Sequence, residues 1–184
     1  MSPVGKLRKK PLLLGLVLVA LGRAGSASDA AAGALPKDPC ALLNPAEIQA
    51  LAPSATIGSG VADSSMAPIG TGCTFRWGPK TPEWGESSLT FAVIDASKGW
   101  PGMSPELLKQ GLRTKVKMGA PHASLVSGLG DVAVFTFEER SSNATVEAYF
   151  QARSVHLSVT LHAGDSLSSK GKLAALLKGA AARL

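Results

Sequence analysis

Apolar and polar residues alternate most cleanly in the last third of the chain. Ala144, Val146, Ala148 and Phe150 are separated by Thr145, Glu147, Tyr149 and Gln151. Val155, Leu157, Val159 and Leu161 are likewise separated by His156, Ser158, Thr160 and His162. A period of two places one set on a core face and the other on a polar face, which predicts two half-buried strands. The run Val132-Ala-Val-Phe-Thr-Phe137 is almost continuously apolar, as expected of a central strand. Only Ser141-Ser-Asn143 and Arg153-Ser154 separate these three, so they are predicted to form an antiparallel meander. Earlier in the chain, Cys73, Phe75 and Trp77 share one face of a strand, and Leu89, Phe91 and Val93 form the inward set of the next. The segment 78–86, with two prolines, is expected to be their hairpin loop. The Ser, Gly and Ala of 54–72 mark a loop with one short strand near Ala55-Thr-Ile57.

Three segments carry helical signals instead. Asn44 is a good N-cap, Pro45 suits the first helical position and Glu47 has the spacing of a capping box. Leu43 can staple onto Ile48, and Pro53 ends this helix. A second helix starts at Ser104-Pro105-Glu106 and presents Leu107, Leu108, Leu112 and Val116; Gly111 weakens it by up to about 1 kcal/mol relative to Ala. The last, from about residue 166 to 184, carries Leu173, Leu176, Leu177, Ala180, Ala181 and Leu184 as one buried stripe. Asp165 or Ser166 is its expected cap, and Lys178 and Arg183 suit its C-terminal dipole. The expected class is α+β: a central antiparallel sheet of about five to seven strands, with three helices packed mainly on one side. Helix-then-meander order occurs twice, which points to a two-half αβββ duplication.

The N-terminus changes the picture of charge. Lys6, Arg8, Lys9 and Lys10 precede the apolar run Pro11-Leu-Leu-Leu-Gly-Leu-Val-Leu-Val-Ala-Leu21, and small residues follow at Ala24-Gly-Ser-Ala27-Ser-Asp-Ala30. That order is a secretory signal peptide, residues 1–27, cleaved near Ala27 or Ala30; the apolar run is too short to span a bilayer. Residues 28–38 form a flexible leader, and 39–184 a single domain, within the usual size of one. The 184-residue chain carries 19 Lys and Arg against 13 Asp and Glu, a net +6. Removing the signal takes five of the basic residues and leaves a charge of about +1, too little for a phosphate-binding patch, so no nucleic-acid partner is expected. No Cys sits at the end of the apolar run, and Cys40 lies too far along for a lipobox, so neither a lipid anchor nor stable membrane insertion after cleavage is expected. A periplasmic or extracellular location follows. In such an oxidising compartment Cys40 and Cys73 are expected to pair, closing a loop of about 34 residues and adding roughly 3–4 kcal/mol. Two free thiols, one of them nucleophilic, are the alternative, but no CxxC motif or helix start lowers either pKa.

Three stretches carry a resemblance. Asp38-Pro-Cys-Ala-Leu-Leu-Asn-Pro-Ala-Glu47 is similar to the "DPC-x-LL-[TN]-xx-E" opening of a group of exported bacterial proteins. Many actinobacterial members of that group are lipoproteins of unknown function. Gly72-Cys73-Thr-Phe-Arg-Trp77 resembles its "G-C-x-[WY]-x-W" strand, and Val126-Ser-Gly-Leu-Gly-Asp-Val-Ala133 its "v-x-G-L-G-D-x-A" turn. The resemblance implies a central antiparallel sheet akin to the PsbP type and a Cys40–Cys73 disulfide, with no established activity. The missing lipobox departs from many members. Read directly, Gly128 and Gly130 permit a tight turn with positive φ, and Asp131 ties its backbone to the following strand.

Candidate chemistry is sparse. His156 and His162 lie six residues apart on one strand, roughly 20 Å at about 3.3 Å per residue, too far to share a metal; with the loop residue His122 they are expected at the surface. Ser169-Lys-Gly-Lys172 has bare S-x-x-K spacing without its partner motifs, and is expected on a solvated helix face. Glu138 and Glu139 are adjacent on a strand end and so point opposite ways. Gly58-Ser-Gly60 and Gly70-Thr-Gly72 lack the Lys or helix start of a phosphate loop, and Asn143-Ala-Thr145 fits a glycosylation sequon best explained as a turn. No catalytic residue, metal site or cofactor is expected. Loop tryptophans are large apolar surface, and Trp84 and Trp100 are the candidate binding residues; Trp77 belongs to the core. The function expected is an exported non-catalytic domain that binds a small ligand or an envelope protein. An envelope hydrolase and a purely structural component are the alternatives.

Overall fold

A computed structural model describes residues 35–81, 85–118, 122–163 and 167–184. The expected signal peptide, most of the expected leader, and Trp84 lie outside the described residues. After a 3-10 turn at Cys40–Leu42 come α1 (Pro45–Gln49), β1 (Val61–Asp63), β2 (Gly70–Thr81), β3 (Gly85–Asp95) and α2 (Ala96–Gly99). The second half comprises α3 (Pro105–Lys117), β4 (Ser124–Leu125), β5 (Val132–Glu138), β6 (Asn143–Phe150), β7 (Val155–His162) and α4 (Lys170–Arg183). All seven strands form one antiparallel sheet in the order β1-β2-β3-β7-β6-β5-β4. Two meanders thus run inward from opposite edges and meet where β3 pairs with β7. The α+β class is as the alternation predicts.

The register explains the core. Cys73 faces Phe91, Phe91 faces Val159, Val159 faces Val146 and Val146 faces Phe135, so one buried row crosses five strands. The stripe Leu173, Leu176, Leu177, Ala180 and Ala181 of α4 packs on this face, as its spacing predicts. Each such large side chain contributes about 1.5–3 kcal/mol by leaving water. Cys40 and Cys73 are joined in a disulfide, which pins the opening turn to β2.

Several local expectations change. Asn44 caps α1 by accepting from the Ala46 N–H at 2.9 Å, but Glu47 does not close a capping box. Its carboxylate takes the Arg183 guanidinium instead, at 2.9 and 3.2 Å, while Arg183 also donates to the Leu42 carbonyl at 2.8 Å. A charge-assisted fork outcompetes one backbone N–H. The strand expected near residue 57 is a single bridge between Ile57 and Trp77. β2 and β3 extend into the expected loop, leaving only 82–84 between them. The expected caps Asp165 and Ser166 lie outside the described residues, and α4 starts at Lys170 after a 3-10 turn over Leu167–Ser169.

The helices divide between the two faces. Of three expected mainly on one side, α1 and α4 lie there, whereas α3 crosses the other. There Leu108, Leu112 and Val116 meet Val132, Val134, Tyr149 and Ala96 in a second, smaller core. This corrects the placing of residues 132–137 at the centre of the sheet: β5 is next to an edge, and its first four residues are apolar because Val132 and Val134 face α3 while Ala133 and Phe135 face the main core. Helix-then-meander order does recur, as α1 with β1–β3 and α3 with β4–β7, but the two helices occupy opposite faces.

α3 covers only one end of its face. Beyond it, Thr74, Thr90, Thr160, Thr145 and Thr136 stand in register across five adjacent strands. The hydroxyls of Thr145 and Thr160 are 3.0 Å apart and those of Thr74 and Thr90 3.3 Å, the cross-strand pairing that favours threonine in sheets.

Candidate functional site

The covered end of that second face holds the candidate site, and three local signals build it. Asp95 ends β3 and caps α2, accepting from the Ser97 N–H at 3.0 Å and the Ser97 hydroxyl at 2.6 Å. The single turn of α2 then delivers Trp100 over the sheet. Gly102, at φ +78°, reverses the chain, a conformation cheap only for glycine, and Ser104 caps α3 by accepting from the Leu107 N–H. Between Trp100, Met103 and α3 on one side and the sheet on the other lies a groove of about 340 Å³. Leu107, Leu108 and Leu112 form its helix wall, and Glu147, Tyr149 and His156 belong to its floor. Gly111 faces it with no side chain, and a Cβ there would meet nothing within 4 Å.

The floor is charged but balanced. Glu147 is 9% exposed. One carboxylate oxygen accepts from the Lys115 ammonium, and the other lies 3.3 Å from His156 Nε2. Burial pushes its carboxyl up, yet the hydrogen bonds from His156 and Lys115 and their charges prevail and hold it below the ordinary carboxylate value. Tyr149 stands beside His156 in the register, and burial together with Asp131 pushes its phenol up, so it remains a neutral hydroxyl. The His156 ring meets Trp100 edge to face, centroids 5.4 Å apart. With Nε2 turned to the carboxylate, Nδ1 is left as a buried nitrogen with no hydrogen-bond partner among the described residues.

The surface expected for the histidines is thereby corrected in part. His156 is buried because α3 and Trp100 fold over its end of the sheet. His162, farther along the same strand, is half-buried and its Nδ1 lies 3.0 Å from the Asn143 carboxamide oxygen. His122 is not solitary either: Nε2 lies 3.1 Å from Glu139, and its ring meets Phe137 edge to face. Glu138 accepts from Ser141, so the adjacent glutamates do serve separate partners. Ser169 is buried rather than solvated, and Lys172 donates to the Ala50 carbonyl, which ties α4 to α1. Gly128 and Gly130 have φ of +71° and +60°, as expected, but Asp131 accepts from the Gln151 N–H at the end of β6 rather than bonding within β5.

Of the two candidate tryptophans, the structure places Trp100 in the groove. Lys115 and Glu147 were absent from the sequence-derived candidates, and His156 was weighed only as a metal ligand. The signal for Glu147 and His156 was register: the short 151–154 connection sets Tyr149 opposite His156, which brings Glu147 diagonally beside it. Chemically, both Glu147 oxygens are engaged and the group is held ionised, which suits a fixed charge better than a proton acceptor. Among the described residues, no three His, Cys, Asp or Glu side chains gather as metal ligands. No protein-family model, curated protein or solved structure matches the chain.

Proposed function

We propose that this is an exported, non-catalytic domain that binds a small ligand in the groove beneath α3. The observation that carries the reading is the groove itself: an open apolar hollow with a tryptophan at its mouth and a compensated ionic floor. Its volume is at the low end of the range for ligand sites, roughly 300–1,000 Å³. Met103 and Leu107 at its rim are 43% and 54% exposed, apolar surface that a ligand would shield. Export is supported by the cationic and apolar segments of residues 1–21 and by the disulfide, a bond that persists outside the cytosol. No helix among the described residues is long and apolar enough to cross a membrane.

Native mass spectrometry of the protein recovered from the compartment its own signal reaches tests this. The expected spectrum shows a mature mass starting near Ser28 or Ala31, two hydrogens lighter than the reduced chain, with a small-molecule adduct. Gly111→Leu, which fills the groove from a position with free space, should lose the adduct while keeping the fold. An adduct that persists in Gly111→Leu places the ligand elsewhere, and a full-length mass overturns export.

A further inference from the structure

We propose that the ligand of this groove is a single-chain amphiphile with an anionic head, its chain along Trp100, Leu107 and Leu108 and its head on the Lys115 ammonium. This rests on the groove being a ligand site. The Lys115 side chain is 47% exposed at the groove edge, and the ammonium gives one of its three N–H groups to Glu147. The remaining donors are open to a ligand. Glu147 offers no counterpart for a cation, because Lys115 and His156 already occupy its two oxygens. The field over the groove has the same sign. α3 carries Lys109, Arg113, Lys115 and Lys117 against the single acid Glu106, and Glu106 is paired with Lys109 at 2.5 Å. Arg113 and Lys117 are both exposed. Of these only Lys115 lines the groove, so an anion gains its contact there and only a longer-range field from Arg113 and Lys117, whereas a cation would displace Lys115 and face a basic helix. The lining away from Lys115 and the floor is hydrocarbon and indole, which recognises a chain rather than a sugar or nucleotide.

The test is calorimetric titration of the oxidised protein with decanoate, 1-decanol and decyltrimethylammonium, each below its micellar concentration. The expected order is decanoate tightest by about tenfold over decanol, the scale of one partly desolvated charged hydrogen bond, with the cation weakest. Lys115→Met should collapse the decanoate-to-decanol ratio to about one. Because that variant leaves Glu147 one partner short, Lys115→Met with Glu147→Gln is measured beside it and should give the same collapse. If decanoate and decanol bind alike in the natural protein, if the cation binds as tightly, or if the ratio survives both variants, the anionic head is refuted while the groove reading stands. If none of the three probes binds, the groove reading fails as well.

Discussion

Replacing Glu147 by Gln removes one charge from the floor of the groove at nearly constant volume. The new side chain loses the ionic attraction to Lys115 and the carboxylate acceptor that faces His156, but keeps one carbonyl oxygen as an acceptor. The two losses differ in size. Lys115 is almost half exposed, so water screens its pairing and the loss there is below about 1 kcal/mol. The His156 contact is buried, with both side chains 11% exposed, and weakening a hydrogen bond to a carboxylate there costs about 1–2 kcal/mol. Together the variant should be less stable by about 1–3 kcal/mol at pH 7, a fall in Tm of roughly 2–10 °C for a domain of this size. The pH dependence is more telling. Folding lowers the pKa of Glu147, so its stabilisation is fully present above the unfolded carboxyl's value and is lost as the pH falls through the folded one. Urea unfolding of both proteins from pH 8 down to pH 3 should show the gap widest near neutrality and closing below the ordinary carboxylate range. A gap that stays constant across the series, or widens on acidification, would refute the view that Glu147 is held ionised by Lys115 and His156.

Three further outcomes follow from the packing. Cys40→Ala with Cys73→Ala should cost about 4 kcal/mol and lower Tm by roughly 8–15 °C, since the disulfide joins residues 33 apart; the reduced natural protein should melt with the variant, and unchanged melting of the oxidised pair would contradict the stabilising role. Gly128→Ala should cost about 1 kcal/mol for its positive φ alone, while Gly130→Ala should cost clearly more because a Cβ there would come within 2.6 Å of the Tyr149 carbonyl; equal shifts in urea midpoint would oppose this. Leu177→Ala, in the fully buried stripe, should lose about 2–5 kcal/mol, whereas Leu107→Ala, more than half exposed, should change stability little, as differential scanning calorimetry would show.

The strands were legible because each of the long ones has a face that must be apolar, and a period of two survives any uncertainty about neighbours. α4 was legible for the same reason at a period of 3.6. What could not be read was the destination of α3. Its apolar residues announce a buried side, but β6 and β7 present Glu147, Tyr149, His156 and Ser158 opposite their core face, and a stripe containing Glu and His looks like a solvent face in one dimension. The site is where those two readings conflict, since burial of the polar end of that face is what makes its charges pair. Trp100 was found because an aromatic in a Gly-Pro-rich connection is conspicuous by itself. Glu47 shows the converse: a residue with a good local explanation is taken by Arg183, 136 positions away, for which no local pattern exists.

The meeting of the two meanders at the middle of the sheet bears on how the chain acquires its structure. The strands on either side of the seam are 60 to 74 residues apart in sequence, from Asp95 opposite Val155 to Ser88 opposite His162. Every other long strand pairs with its immediate neighbour in the chain. Each half can therefore zip up locally, but the buried row through Phe91 and Val159 exists only after the halves dock, and closing so long a loop is the slow kind of event. As the chain emerges N-terminus first, β3 is a bare, apolar edge until β7 arrives. The Cys40–Cys73 bond, contained wholly in the leading half, can form during that interval and keep the waiting half compact. Once docking is complete, the strands left at the two edges, β1 and β4, are only three and two residues long, too short a template for another chain to extend.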